Sequence, residues 1–199
     1  LMILDQLGVP VGPLLGGAAV MGLAVAFGAQ NLVKDCFTGF MVLLEDQYAV
    51  NDIIKVNTGL GGKVEKITLR MTVLRDSSGT AHFIPHGTIS TVSNLSHGWS
   101  RVALEVGVDY GEDIDEVMEV IRQLCAELRR DATFGPLMLE EAEMLGVDQF
   151  ADSAVIIKFL IRTKPQEQWR VKRELLRRIK HRFDELGIRI PFPHRAIHD

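Results

Sequence analysis

The stretch Gly22–Lys34, GLAVAFGAQNLVK, is apolar, rich in glycine and alanine, and ends in the first lysine of the chain. No charged side chain lies between Asp5 and Lys34, whereas charges recur every few residues from Arg101 onward. The whole chain has 199 residues, 47% of them hydrophobic, and a formal net charge of -4. These averages are ordinary for a soluble protein and conceal an N-terminal segment of a different kind.

The apolar segment is long enough to cross a membrane. Pro10 and Pro13 predict that an uninterrupted helix starts after them and covers residues 14–33, about 20 residues or roughly 30 Å. That length matches the hydrocarbon core of a bilayer. The alternative is a buried helix of a soluble domain, in which each glycine costs about 1 kcal/mol relative to alanine. Membrane helices use small residues to approach one another closely, so the glycines favour a transmembrane helix.

Small residues at steps of four predict how this helix packs. Ala18, Gly22 and Ala26 form one seam, and Ala24 with Gly28 begins a second. Two seams on one helix imply helical neighbours on both sides, as in a ring of identical subunits.

A ring of helices has an inner face, and one stripe of this helix is a candidate for it. Its members recur at steps of three or four and are Gly16, Val20, Leu23, Phe27, Gln30 and Lys34. Leu23 and Phe27 are the bulkiest, and in a pore they would form apolar collars that exclude water. The same stripe would also suit a face toward lipid or another helix, and periodicity alone does not choose between these readings.

The pattern changes after Gln30. Polar residues at Asn31, Lys34, Asp35 and Thr38 share a helix face, and apolar residues fill most of the rest through Leu44, which predicts an amphipathic helix lying along an interface. The change predicts a bend near Gln30 and Asn31, with Gly39 as a second flexible point. Lys34 and Asp35 are expected to face the cytoplasmic water.

The rest of the chain predicts two further domains. Short β-branched runs at 53–56, 63–69, 71–75 and 81–84, with turn signals at 59–62 and 77–79, predict a small β-barrel in residues 47–99. The glycine cluster at 59–62 precedes a strand rather than a helix, which favours a hairpin over a phosphate loop. Strands at 102–108, near 138–143 and at 154–162, helices at 114–129 and 169–186, and a final strand at 188–190 predict a ferredoxin-like α+β domain in residues 100–199.

These motifs carry a resemblance. The run GLAVAFGAQNLVKD, the glycine at 39, and the pattern Asp76, Gly79, Ile84-Pro85 and Asn94 resemble the small-conductance mechanosensitive channel family, in the branch of larger members with an FGAQ motif. The resemblance extends from about Gly16 to the closing IPFPHRAIH. This chain departs from the family pattern at Phe27, where leucine is usual, at Asn31, where glycine is common, and at His86, where asparagine is typical.

The resemblance implies a function. It implies a homoheptameric channel in the bacterial inner membrane, in contact with lipid, that opens under tension and releases ions and small osmolytes on hypoosmotic shock. Residues 1–46 would supply the bent pore-lining and amphipathic helix, and the later domains a cytoplasmic cage. Because the chain starts at Leu1 and the family's earlier membrane helices are missing, we expect it to be the C-terminal part of a longer protein.

The other candidate sites in the sequence are weak. Seven basic residues between Arg170 and Arg182 would suit RNA binding, but an apolar stripe at Val171, Leu175, Ile179, Phe183 and Leu186 and an acidic whole chain favour a solvated helix face. The six histidines lack metal-site spacing, and Cys36 and Cys125 are predicted to be small buried hydrophobes. We therefore expect no enzyme activity, cofactor, metal or nucleic-acid partner. A tension-independent transporter subunit remains a second alternative, although the charge-free run lacks the intramembrane ionisable group typical of one.

Overall fold

The computed structural model describes residues 11–57 and 59–191, which divide into two compact units, one ending at Asn94 and the other beginning at Leu95. The end of the family resemblance in residues 192–199, with His194 and His198, lies outside the described residues, as do Asp5 and Pro10.

Helix α1 runs over Val11–Leu44 without interruption. It starts earlier than predicted, because a proline in the first turn of a helix, here Pro13, lacks only an N–H that has no partner within the helix. The predicted membrane segment and the predicted amphipathic segment therefore belong to one helix. Its residues Leu15–Leu44 are long and apolar enough to cross a membrane, by length and composition.

Five antiparallel strands follow α1 in the first unit. They are β1 (Ile53–Val56), β2 (Leu60–Ile67), β3 (Met71–Arg75), β4 (Ala81–Pro85) and β5 (Val92–Asn94). Their order across the sheet is β4-β3-β2-β1-β5. The predicted bounds of β1 and β3 are confirmed, whereas β2 begins three residues early and β5 was not predicted.

The glycine cluster belongs to a hairpin, as predicted. Gly61 and Gly62 are already part of β2, where they pair with Lys55 and Ile54 of β1. A Cβ atom on Gly62 would lie 2.4 Å from the carbonyl oxygen of Arg75, so the close approach of β3 requires glycine here.

The turn between β3 and β4 explains part of the sequence motif. A carboxylate oxygen of Asp76 accepts hydrogen bonds from the backbone N–H groups of Ser78 and Thr80, each at 2.9 Å. Hydrogen bonds from the Ser78 hydroxyl and from His82 hold the pKa of Asp76 well below its usual range. Gly79 has a φ of 88°, a left-handed conformation that glycine adopts without strain.

The second unit is an α+β layer structure. It contains β6 (Ser100–Val108), α2 (Ile114–Arg130), β7 (Glu143–Ala151), β8 (Ala154–Thr163) and α3 (Gln168–Leu186). The antiparallel sheet has the order β6-β8-β7. Every second residue of β6 and β8 is buried, and these residues form one core with the apolar faces of α2 and α3.

Three details of this unit were predicted wrongly. In the region predicted as a strand near Met138–Glu143, Met138 forms only an isolated bridge with Thr163, and the continuous strand β7 begins at Glu143. Residues 188–190 form no strand in the described part of the chain, and a single backbone hydrogen bond joins Asp109 N–H to the Arg189 carbonyl. Leu186 is exposed rather than buried, because α3 ends there and Gly187 turns the chain with a φ of 72°.

Candidate pore helix and its contact with the sheet

The first half of α1 has few contacts in a single chain. Every described side chain from Leu15 to Lys34 is exposed except the half-buried Ala29. The predicted gate residues Leu23 and Phe27 have 57% and 73% of their surfaces exposed. An apolar helix this bare needs lipid or other protein chains around it.

The small residues of α1 are not explained by contacts within the chain. A Cβ atom on Gly16, Gly17, Gly22 or Gly28 would meet no atom within 4 Å. Ala18, Ala24 and Ala26, the other members of the predicted seams, are exposed as well. The surface of both predicted seams is thus open to a neighbouring helix.

The last turns of α1 lie on the sheet unit. Asp35, Gly39 and Val42, which we call the docking face, are buried, and Thr38 is half-buried beside them. The opposite side is exposed and consists of large hydrophobic residues, namely Leu32, Val33, Phe37, Phe40, Leu43 and Leu44. The helix is therefore amphipathic as predicted, but its polar residues meet protein as well as water.

Gly39 brings the helix backbone directly onto the sheet unit. A Cβ atom there would lie 2.0 Å from the carbonyl oxygen of Leu69 and 2.2 Å from Nδ1 of His86. No side chain larger than hydrogen fits without movement of one of the two elements. The predicted role of Gly39 as a hinge stays a prediction, as does the bend at the exposed Gln30 and Asn31, through which the helix continues.

Asp35 anchors the same contact, and the prediction that it faces water was wrong. Its side chain is 7% exposed, and Oδ1 accepts a hydrogen bond of 2.8 Å from the backbone N–H of Gly87. Gly87 belongs to the 3-10 turn His86–Thr88, which follows β4. Sequence spacing placed Asp35 on the polar face but gave no sign that this face meets the turn.

A chain of buried polar side chains continues from the docking face into the sheet. Nε2 of His86 lies 2.8 Å from the Thr72 hydroxyl oxygen, which in turn lies 2.9 Å from the Tyr48 hydroxyl oxygen. All three residues are at most 2% exposed. Burial raises the pKa of Tyr48 and lowers the pKa of His86, so both side chains are kept neutral. Sequence reasoning missed Tyr48 and Thr72, because nothing in their spacing distinguishes them from ordinary strand and loop residues.

Thr72→Val is expected to destabilise the first unit by about 1–3 kcal/mol, because it leaves two buried polar groups, on Tyr48 and His86, without their partner at nearly unchanged volume. Thermal unfolding of the full-length protein in detergent measures this. Thr80→Val, on the exposed turn, is the matched control and should change the unfolding temperature much less. Equal effects of the two variants would contradict the structural role of the buried chain.

The basic helix α3 uses its charges within its own unit. Arg178 bonds to Glu174 at 2.8 Å and to Asp131 at 2.6 Å, and Arg177 bonds to Glu174 at 2.8 Å. The two arginines lower the pKa of Glu174 to about 2. This arrangement supports the predicted solvated helix face.

The described residues offer little metal or thiol chemistry. Cys125 is buried and Cys36 is half-buried, both as free thiols, and burial raises the pKa of Cys125 to about 12. Within residues 11–57 and 59–191, no three His, Cys, Asp or Glu residues form a group that could hold a metal ion.

The exposed apolar helix is long enough to cross a membrane, lies with its polar face on an antiparallel sheet and is followed along the chain by an α+β unit, an arrangement that fits a subunit of a membrane protein. Family models match the chain along nearly its whole length: "mechanosensitive ion channel, transmembrane helices 2/3" over residues 1–30, "mechanosensitive ion channel, beta-domain" over 31–97, and "mechanosensitive ion channel MscS, C-terminal" over 102–190. The chain belongs to the MscS family of mechanosensitive ion channels.

Individual relatives agree with the family models. The chain is 34% identical over 195 residues to a small-conductance mechanosensitive channel of Caldanaerobacter subterraneus subsp. tengcongensis, covering 98% of this chain and 68% of that protein. It is 32% identical to the moderate conductance mechanosensitive channel YbiO of Escherichia coli, covering 96% of this chain but only 26% of the relative. The crystal structure of Helicobacter pylori MscS in a closed state has the same fold, with a TM-score of 0.80 at 24% identity over 100% of this chain and 77% of that one.

Proposed function

We propose that this chain is part of the subunit of a mechanosensitive ion channel, which opens when membrane tension rises and releases ions and small osmolytes on hypoosmotic shock. Family membership carries the proposal. The exposed first half of α1 supports it, since a channel subunit needs a helix whose surface is divided between lipid, neighbouring subunits and a pore.

Leu23 and Phe27 form the gate in this proposal. Two large apolar residues one helical turn apart, repeated around a ring, make a narrow constriction that water enters at a high free-energy cost. Tension favours the state that occupies more membrane area, so separation of the helices widens the collars until they become wet. The other members of the stripe are either smaller, as Gly16 and Val20 are, or polar, as Gln30 and Lys34 are.

The assembly follows from the same proposal. Seven identical chains pack through Ala18, Gly22 and Ala26 on one side and Ala24 and Gly28 on the other, in a bacterial inner membrane. Residues 1–46 form the pore and amphipathic segments, residues 47–99 an Sm-like barrel, and residues 100–199 a ferredoxin-like domain of a cytoplasmic cage. The ring would cover the open surface at the seams and part of the exposed apolar side of α1.

The two other functions have less support. RNA binding would need free basic side chains on α3, but Arg177 and Arg178 are ion-paired. A transporter coupled to ions would need a charged or broken intramembrane site, whereas α1 continues through residues 15–33 without a charge.

The test is patch recording of the full-length protein in pure lipid under graded suction. We expect conductance that appears above a threshold of suction and disappears when suction is released. Conductance independent of tension would favour the transporter, and no conductance at any tension would contradict the proposal.

Gly22→Leu is expected to weaken or distort the ring, because a leucine side chain would wedge neighbouring helices apart at a surface that now accepts close backbone approach. Native mass spectrometry of the detergent-solubilised protein measures the subunit number. Val25→Leu, which enlarges a residue outside both seams, is the control and should leave that number unchanged. A wild-type monomer would contradict the ring itself.

A further inference from the structure

His86 occupies an unusual place for an ionisable side chain. It is 0% exposed and belongs to the 3-10 turn against which α1 packs. Its Nε2 lies 2.8 Å from the Thr72 hydroxyl oxygen, and its buried Nδ1 makes no hydrogen bond of good geometry within the described residues, although the Leu69 carbonyl is close enough to raise the pKa of the ring. Nδ1 points at Gly39, where an added Cβ atom would lie 2.2 Å away. The imidazole ring is thus wedged between the sheet and the backbone of the pore helix.

We propose that α1 docks on the sheet only while His86 is neutral, so that acidification on the sheet side of the membrane releases the docking face and alters the time for which the channel conducts. His86 is a positioning residue in this view, since it acts on the pore through Gly39. The effect on conduction rests on the proposed channel function, whereas the release of the helix does not.

Protonation would disturb this contact through hydrogen bonding. A neutral imidazole accepts at one nitrogen and donates at the other, so Nε2 can accept from the Thr72 hydroxyl, which can accept from Tyr48. A protonated ring donates at both nitrogens, so the Thr72 hydroxyl loses Nε2 as the acceptor of its proton, and Nδ1 becomes a second buried donor that needs an acceptor. A full charge would also have to remain beside Gly39 without contact with water.

The charges around His86 decide the direction of the effect. From α1, the buried carboxylate of Asp35 faces the turn, and the carbon stem of Lys34 lies near Gly87. From the sheet, the neighbours are neutral: the Thr72 and Tyr48 hydroxyls, the carbonyl of Leu69, and the carbonyl of Arg70, which accepts from His86 N–H. Burial lowers the pKa of His86 below 6.5, while the Leu69 carbonyl and Asp35 act more weakly in the opposite direction.

Acid weakens docking because burial acts on the pKa of His86 more strongly than the Leu69 carbonyl and Asp35 do. Because the docked state lowers the pKa of His86, the undocked state binds more protons over the range below 6.5. Docking is therefore at full strength above that pH and weakens as the pH falls. A single proton changes the docking equilibrium by at most about tenfold per pH unit.

Amide hydrogen exchange of residues 36–42 in the full-length channel tests the release of the helix directly. Wild type and His86→Asn are compared at about pH 7.5 and about pH 5, on either side of the ordinary histidine pKa. The ratio of their exchange rates at each pH cancels the intrinsic pH dependence of exchange. We expect the exchange rate of the wild type divided by that of His86→Asn to be several-fold higher at the lower pH, because only the wild type gains a charge at this contact.

His86→Asn introduces a neutral side chain that is typical of the family at this position. His86→Gln is a second neutral variant, chosen because its longer amide side chain extends further toward Thr72. His82→Asn is the control, since His82 lies on β4, the strand that leads into the His86 turn, in a partly exposed pair with Asp76, and it should behave like the wild type. A ratio that does not change with pH, for both neutral variants, would overturn the proposal.

Patch recording adds the functional arm. Under sustained suction, the decay rate of the wild-type current should change when the sheet side is acidified, and the decay in His86→Asn should not depend on pH. If no tension-activated current exists, the channel function fails while the exchange result still decides the role of His86. Equal acid sensitivity of current decay in wild type and His86→Asn would remove His86 as its source.

Discussion

Leu23→Ser is expected to lower the membrane tension at which the channel opens and to make resting cells leak. Leu23 is 57% exposed on the single chain, and in the proposed ring it forms an apolar collar. Keeping a leucine side chain dry rather than wet is worth about 1.5–3 kcal/mol, and each subunit contributes one such side chain. A hydroxyl in its place binds water in the closed pore, so less tension is needed to hydrate the constriction. Phe27→Ser should act in the same direction.

The measurement is the opening threshold in excised patches, together with growth of cells that express each variant. Val25→Ser is the matched control: Val25 is similarly apolar and 71% exposed, but it lies off the stripe. A threshold that falls as far in Val25→Ser as in Leu23→Ser would show that this face does not line the pore. Unchanged opening thresholds in both Leu23→Ser and Phe27→Ser would likewise show that this face does not line the pore.

Strand and helix positions were largely predictable where periodicity was strong. The alternation of β6 and β8 and the apolar stripe of α3 reflect burial on one side only, which a sequence displays directly. The strand predicted near Met138 shows the limit of this signal, since residues 138–142 read Met-Leu-Glu-Glu-Ala without alternation and pair with β8 only through an isolated bridge at Met138. The exposure of Leu186 depends on where α3 ends. That end is set by Gly187, and the apolar periodicity of α3 does not indicate it.

The docking face was less predictable from the sequence than the stripe that contains Leu23 and Phe27. Leu23 and Phe27 stand out in the sequence as candidate gate residues because they are the bulkiest members of their stripe. Asp35 and His86 are polar residues that ordinarily face water, and their burial follows from a contact between α1 and a turn about fifty residues later in the chain. No local sequence pattern indicates the contact between α1 and this turn. Only Gly39 gave a signal, as a glycine within a helix, and its cause is close packing against Leu69 and His86 in addition to any flexibility.

Gly39→Ala separates these two explanations, because alanine removes the backbone freedom of glycine and also adds a Cβ atom, and only the added atom predicts a loss of stability. That atom would overlap the Leu69 carbonyl and the His86 ring, so the helix must move away from the sheet. We expect a loss of stability of about 1–3 kcal/mol, typical of overpacking in a closely packed contact. In an open helix position, the same substitution gains about 1 kcal/mol from helix propensity.

Gly17→Ala is the matched control, since a Cβ atom on Gly17 meets nothing within 4 Å and Gly17 belongs to neither the stripe nor the seams. Thermal unfolding in detergent should show Gly39→Ala less stable, and Gly17→Ala equal to or more stable than the wild type. Asn31→Ala, at the predicted bend, should leave stability almost unchanged while altering how long the channel conducts under sustained tension. If Gly39→Ala instead matches Asn31→Ala, with unchanged stability and altered open time, then Gly39 acts as a hinge and the close contact with His86 does not hold the helix.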